Sequence, residues 1–155
     1  QDFLLFARPA EPKLMAMNGE KALREVRDLL ASQFEQRGVQ MKLDIQSHAV
    51  FQADPGQLKQ VLINLVQNAA ESIAQQGQII LRAREGLARM AGLNQPAVFL
   101  EVEDNGKGIP RERMGSDTGT LGMSLIDSLV GQLNGFITME SDPTGTRYHI
   151  RFQAN

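Results

Sequence analysis

Four segments of this chain carry residues whose types and spacing suit chemistry. The first holds Asn64 and Asn68, four residues apart and therefore on one face of any helix that contains them, at the edge of its apolar stripe. An asparagine carbonyl is a neutral hard-oxygen ligand suited to Mg2+, which keeps several waters and takes its other oxygens from a substrate's phosphates. Mid-helix asparagines are also ordinary solvated surface, and the helix taken alone favours that reading. The second segment is Asp104-Asn105-Gly106-Lys107-Gly108-Ile109, directly after a strand pattern. Gly106 and Gly108 permit positive φ and close approach of the backbone to a flat ligand, Asp104 can accept a hydrogen bond from an exocyclic amine, and Ile109 can form an apolar wall. A functionless Asn-Gly turn has much the same signature, but the second glycine and the irregular stretch that follows weaken that alternative. Third, Thr118-Gly119-Thr120-Leu121-Gly122 opens a helix, where free N–H groups and the positive dipole end can seat a phosphate, although glycines also stand at helix starts for plain capping. Fourth, Gly145-Thr146-Arg147-Tyr148 begins the last strand, and taken alone it favours a plain hairpin turn.

The frame that must position these residues follows from periodicity. Residues 2–8 are helix-like and stop at Pro9, with Pro12 blocking a restart, as the tail of an upstream helix would. Lys13–Met17 suits a short strand. Asn18 then caps a helix whose Leu23, Val26, Leu30 and Phe34 follow three-and-four spacing up to Gly38. Val39, Met41, Leu43 and Ile45 alternate as a half-buried strand, and Ala49–Gln52 after the turn at Ser47 predicts a hairpin. Asp54-Pro55, a capping carboxylate before a proline at the first helical position, starts a helix predicted to reach about Gln76, with Leu58, Val61, Leu62, Leu65, Val66, Ala69 and Ile73 as its stripe. Gln78–Glu85 and Ala97–Glu103 read as an antiparallel pair joined by a loop around Gly92 and Pro96. After the unpatterned stretch from Asn105 to Gly122, Leu121, Leu125, Ile126, Leu129, Val130 and Leu133 restore a helix that ends at Gly135. Strands Phe136–Ser141 and Thr146–Phe152 flank the turn Asp142-Pro143-Thr144-Gly145. This order predicts an α+β fold, a two-layer α/β sandwich with one mixed, mostly antiparallel sheet covered on one face by three helices.

Composition narrows the function classes. A length of 155 residues suits one domain. With 16 Lys plus Arg against 18 Asp plus Glu, the net charge of −2 offers no broad surface for nucleic acid or anionic lipid, so any anion site must be local. The absence of cysteine removes disulfides, thiolate zinc sites and a cysteine nucleophile together. His48 and His149 are too few for a histidine-rich metal cage. No apolar run approaches the roughly 18 to 20 residues that cross a bilayer.

In order and spacing, the four segments resemble the catalytic and ATP-binding domain of sensor histidine kinases, in the superfamily shared with gyrase, the Hsp90 chaperones and the MutL repair proteins. The matching motifs are an N box QVLINLVQNAAESI (Gln60–Ile73), a G1 box EDNGKGIP (Glu103–Pro110), a G2 region GTLGMSLI (Gly119–Ile126) and a G3-like GTRYHIRF (Gly145–Phe152), spread over about the C-terminal two-thirds of the chain. The opening DFLLFARP resembles the last turns of the dimerisation helix of nitrogen-regulatory-type kinases, which divides the chain into residues 1–9, the end of that helix, and 10–155, the catalytic domain. From Thr120 onward the chain looks more like the short-lid subfamily.

The resemblance implies a Bergerat-type fold, ATP and Mg2+ as ligands, and transfer of the γ-phosphoryl to a histidine on a dimerisation domain of the same protein that this chain lacks. It also implies a response regulator downstream, work in the cytoplasm, and no nucleic acid or direct membrane contact. Carried over residue by residue, Asn68 ligates Mg2+ and Asn64 lies near the triphosphate as the catalytic pair. Asp104 takes the adenine amino group, Gly106 and Gly108 let the loop pass the base, and Ile109 walls it. Gly119, Leu121 and Gly122 support the phosphates, and Thr146 lies near Asp104. The superfamily's ATPases place a water-activating glutamate one turn before the Mg2+ asparagine; that position here is Asn64, which cannot act as a general base, so transfer to histidine fits better than hydrolysis. Two departures stand out: Thr120 occupies an inner glycine position of G2, and the lid from Arg111 to Thr118 is very short and lacks the phenylalanine-containing F box. They motivate an alternative reading as a degenerate nucleotide-binding or docking module. His48 and His149 read as turn and strand residues rather than phosphoacceptors.

Overall fold

The computed structural model describes residues 11–73, 76–107 and 121–155. Along the chain run β1 (Met15–Asn18), α1 (Gly19–Glu35), β2 (Val39–Ile45), β3 (Val50–Ala53), α2 (Pro55–Glu71), β4 (Gly77–Met90), β5 (Leu93–Asp104), α3 (Leu121–Gln132), β6 (Phe136–Asp142) and β7 (Gly145–Gln153). Five strands form one sheet in the order β2-β4-β5-β7-β6, and β1 and β3 form a small second sheet. Among the described residues only β2 and β4 pair in parallel, so the main sheet is mixed and mostly antiparallel, as predicted. The predicted opening helix over residues 2–8, and with it the assignment of residues 1–9 to a dimerisation helix, lies outside the described residues.

Register places one residue set on the covered face. Leu81, Val102 and Tyr148 form one cross-strand row, and Ala83, Leu100 and Ile150 the next, all nearly inaccessible. Against them pack α1, which buries Leu23, Val26, Leu30 and Phe34, and α2, which buries Leu58, Val61, Leu62, Leu65, Val66 and Ala69. The apolar spacing of both helices therefore does what it predicts: a stripe on one side meets the alternating face of the strands. α3 completes the layer against α2 and β6. Among the described residues no helix is long and apolar enough to cross a membrane.

Three expectations need correction. The hairpin across Ser47 does not form: β2 lies parallel to β4, and β3 pairs antiparallel with β1. Alternation marks a strand but not its partner. The Gln46 N–H donates to the Ala83 carbonyl, carrying the chain along β4, and the Ser47 hydroxyl then accepts the Ala49 N–H and turns it toward β1. The crossover that a parallel pair requires is supplied by α2. Second, α2 stops at Glu71 with Ser72 as its C-cap, well short of Gln76. Third, β4 and β5 are one long hairpin rather than two strands joined by a loop. Ala91 at φ 54° and Gly92 at φ 80° make a two-residue turn with both central residues left-handed, and Pro96 pairs with Leu87 inside the strand.

Candidate functional site

The helix start at Asp54 is a double tie. Its Oδ1 accepts the Gln57 N–H at 3.1 Å as an N-cap, and its Oδ2 accepts the Lys13 N–H at 2.8 Å, fastening the approach to β1 onto α2. With the apolar stripe of α2 fully buried, Asn64 and Asn68 stand half-buried at its edge. Asn68 is hydrogen-bonded to Tyr148, the buried tyrosine of β7. Burial, and then the nearby negative charge of Asp104, push the Tyr148 hydroxyl up to about 12, so it remains a neutral phenol that holds the Asn68 amide.

Asp104 is the last residue of β5. It pairs with Ile79 on one side and Thr146 on the other, and at 4% exposure it ends the covered face of the sheet. Its Oδ1 accepts the Ser72 hydroxyl at 2.9 Å and the Gly106 N–H at 2.8 Å. Its Oδ2 is buried and has no hydrogen-bond partner among the described residues. Burial raises the Asp104 pKa, against the lowering pull of the Gly106 N–H, the Ser72 hydroxyl and the Thr146 N–H. A buried acceptor without a donor costs roughly 1 to 3 kcal/mol, more when charged. The Asp104 carboxylate is therefore complementary to an incoming N–H, as an exocyclic amine provides.

Close backbone approach holds this carboxylate in place. A Cβ on Gly106 would overlap the Ser72 hydroxyl and carbonyl, and the Lys107 N–H donates to that same carbonyl at 3.2 Å. Gly145, at φ 150°, passes so near the Asp104 carbonyl that a Cβ there would overlap it. Asn105 turns away from the site, accepting the Gln78 N–H at 2.9 Å. Thr146, 3% exposed, bonds Ser141 at 2.9 Å between hydroxyls.

The structure thus brings Asn68, Asp104, Gly106 and Thr146 together where the C-terminal end of α2 meets the end of β5 and the start of β7, with Asn64 one turn earlier on the same helix face. Leu121 and Gly122 stand in the first turn of α3, which packs on α2. Gly108, Ile109, Gly119 and the lid Arg111–Thr118 lie outside the described residues. Among those described, no three His, Cys, Asp or Glu side chains gather to hold a metal unaided. A divalent ion here would need a hard amide oxygen supplemented by phosphate and water, which is the donor set that suits Mg2+. Sequence reasoning missed Ser72 and passed over Tyr148 as merely the aromatic after Gly-Thr. Ser72 was legible: it follows Asn68 by four residues, as Asn68 follows Asn64.

The opposite face of the sheet carries a different arrangement. Glu101, 1% exposed, is bonded by Arg82, Arg84 and His149 at 3.0, 2.7 and 2.8 Å. Burial pushes its carboxyl up, but His149 and the two arginines prevail and hold it at about 2. His149 also contacts Glu140 at 3.3 Å, and exposed His48 contacts Glu20 at 2.8 Å, so both histidines are engaged with carboxylates.

Residues 53–155 match the family described as Histidine kinase-, DNA gyrase B-, and HSP90-like ATPase. Sporulation kinase A of Bacillus subtilis is 29% identical over 164 aligned residues, covering 97% of this chain and 26% of that protein. The sensory histidine kinase/phosphatase NtrB of Escherichia coli O157:H7 is 36% identical over 110 residues, covering 63% of this chain and 32% of that protein. The chain therefore spans about a quarter to a third of the length of these curated relatives. Among solved structures, the catalytic domain of the histidine kinase ThkA superposes with a TM-score of 0.75 at 24% identity, covering 91% of this chain and 95% of that one. ThkA in complex with the response regulator TrrA gives 0.79 at 22% identity over 99% of this chain and 46% of that one.

Proposed function

Since the chain belongs to the Histidine kinase-, DNA gyrase B-, and HSP90-like ATPase family, we propose that it is the nucleotide-binding catalytic domain of a sensor histidine kinase. It binds Mg-ATP and donates the γ-phosphoryl to a histidine on the dimerisation domain of its own protein, from which a response regulator is phosphorylated. The observation that carries this reading is the buried Oδ2 of Asp104, an acceptor with no hydrogen-bond partner among the described residues, beside the C-terminal end of α2. Adenine meets it with the 6-amino group. Guanine presents a carbonyl at that position, and two acceptors would face each other there.

Asn68, fixed by Tyr148, would hold Mg2+, and Asn64 one turn earlier faces the phosphates. The metal supplies neutralisation of phosphate charge. Asn64 and Asn68 have no proton to give or take at neutral pH, so the protein's part is to bind, orient and exclude water. Gly106 and Gly145 keep the backbone close around Asp104 so that the base end is held rigidly while the triphosphate lies along α2.

Titration of ADP, ATP and GTP into the chain, followed by heat and by thermal unfolding, tests the pocket. Adenine-selective binding that disappears in Asp104→Ala is expected, and equal binding of GTP would overturn the assignment. Transfer is tested by adding the dimerisation domain in trans with labelled ATP. Label on its histidine supports the kinase reading, and nucleotide binding without transfer supports a docking module.

A further inference from the structure

We propose that Ser72 is a positioning residue that aims Asp104 at the base, so that recognition of the exocyclic amine depends on a hydroxyl at the C-cap of α2. This rests on the nucleotide reading of the site.

The Ser72 hydroxyl carries a single hydrogen. Ser72 Oγ lies 2.9 Å from two acceptors, the Ala69 carbonyl and Asp104 Oδ1, yet a hydroxyl can donate to only one. The Ala69 carbonyl already accepts the Ser72 N–H at 3.2 Å, as the closing turn of a helix arranges. An ionised carboxylate is the stronger acceptor, and hydrogen bonds to it are about twice as strong as neutral ones. The hydroxyl hydrogen therefore goes to Asp104. Oδ1 then holds two donors from two different elements, Ser72 at the end of α2 and Gly106 in the loop after β5.

Two donors on one oxygen fix the carboxylate plane and leave the other oxygen, Oδ2, as the one presented without a partner. If the hydroxyl is removed, Oδ1 loses the donor that comes from α2 and keeps the Gly106 N–H, which lies two residues along the same loop and moves with it. Ser72 also accepts the Lys107 N–H through its carbonyl, and the missing side chain of Gly106 is what lets the two segments touch. The helix that carries Asn64 and Asn68 and the strand end that carries Asp104 are thereby latched through one residue, which links the placement of the phosphate end to that of the base end.

The test compares Ser72→Ala and Ser72→Thr with the wild-type chain, using two probes: ADP, and purine riboside 5′-diphosphate, which lacks the 6-amino group. Ser72→Ala is expected to weaken ADP about tenfold, the size of one charge-assisted hydrogen bond, and to leave the amine-free probe unchanged. Ser72→Thr, which keeps the hydroxyl, restores the ADP preference. Equal weakening of both probes would mean that Ser72 merely supports the fold, and no weakening of ADP would mean that Asp104 is aimed without it; either result overturns the proposal while leaving the nucleotide reading intact. A wild-type chain that binds neither probe overturns both.

Discussion

Replacing Asp104 by asparagine should move two measurements in opposite directions. Oδ1 is occupied by Ser72 and Gly106, so the asparagine carbonyl inherits both donors and its NH2 group takes the place of the unpartnered Oδ2. Without ligand, the change removes a buried charge that has only neutral donors, and the variant should be more stable by about 1 kcal/mol. The pH dependence follows from sign. Burial raises the folded-state pKa of Asp104 above its value in the unfolded chain, so ionisation costs the native state. The advantage of the variant is then complete above the folded-state pKa, shrinks as pH falls through it, and is gone below the unfolded-state pKa, where both side chains are neutral. With adenine nucleotide the sign reverses. The charge-assisted bond is lost and two N–H donors face each other, together about 3 kcal/mol, or on the order of a hundredfold in Kd. Thermal unfolding with and without ADP, paired with calorimetric titration, reads both effects on one sample. An Asp104→Asn variant that binds ADP within about threefold of wild type would refute the assignment of the base end, and one that melts below wild type without ligand would refute the reading of Oδ2 as an unpaired charge.

Asn68→Ala should abolish the gain in nucleotide affinity that Mg2+ confers while leaving metal-free ADP binding nearly intact, a split that titration with and without chelator reveals. Gly145→Ala should destabilise the fold by about 2 kcal/mol or more, because the added Cβ overlaps the Asp104 carbonyl; an unchanged urea midpoint would contradict that close approach. Ala91→Gly should raise stability by about 1 kcal/mol by relieving a left-handed alanine in the β4–β5 turn, read as a higher denaturation midpoint. His149→Gln should destabilise most at acid pH: the Glu101 contact raises the folded His149 above the ordinary 6.5, so its contribution is full below that value and fades as pH rises through the folded one. A wild-type-minus-variant difference that grows toward alkaline pH would contradict this sign.

What the chain discloses before folding depends on how local the physics is. The caps at Asn18 and Asp54 act within three residues of themselves, and both helix starts stand where those residue types put them. Strand alternation is equally local, which is why Val39–Ile45 was legible as a strand. Its pairing was not, because the parallel partner β4 lies beyond a whole helix, while β3 stands close in sequence. The β4–β5 turn was obscured for a different reason: Ala91 is not a residue whose type announces positive φ, and Pro96 suggests a break although the strand continues through it. Asp104 could be singled out because a second glycine, Gly108, and an unpatterned stretch follow the Asp-Asn-Gly at its strand end, which a plain turn does not need. That only one of its oxygens is satisfied depends on Ser72, thirty-two positions away in the chain, and no local pattern contains that fact.

The two buried carboxylates of β5 show how structure and function divide on one strand. Glu101 and Asp104 are three residues apart and face opposite sides of the sheet, at 1% and 4% exposure. Glu101 is met by two arginines and a histidine, and its pKa falls to about 2. Asp104 is met by a hydroxyl and backbone N–H groups, and its pKa rises. A carboxylate whose charge is matched from all sides has nothing left to offer a ligand, and its cost of burial is offset within the framework. One held by neutral donors with an oxygen left over keeps that cost until something binds, so the binding partner recovers it. Burial and residue type are nearly the same in the two cases. The difference lies in the partner set, and it fits Glu101 to the scaffold and Asp104 to the base end of the proposed site.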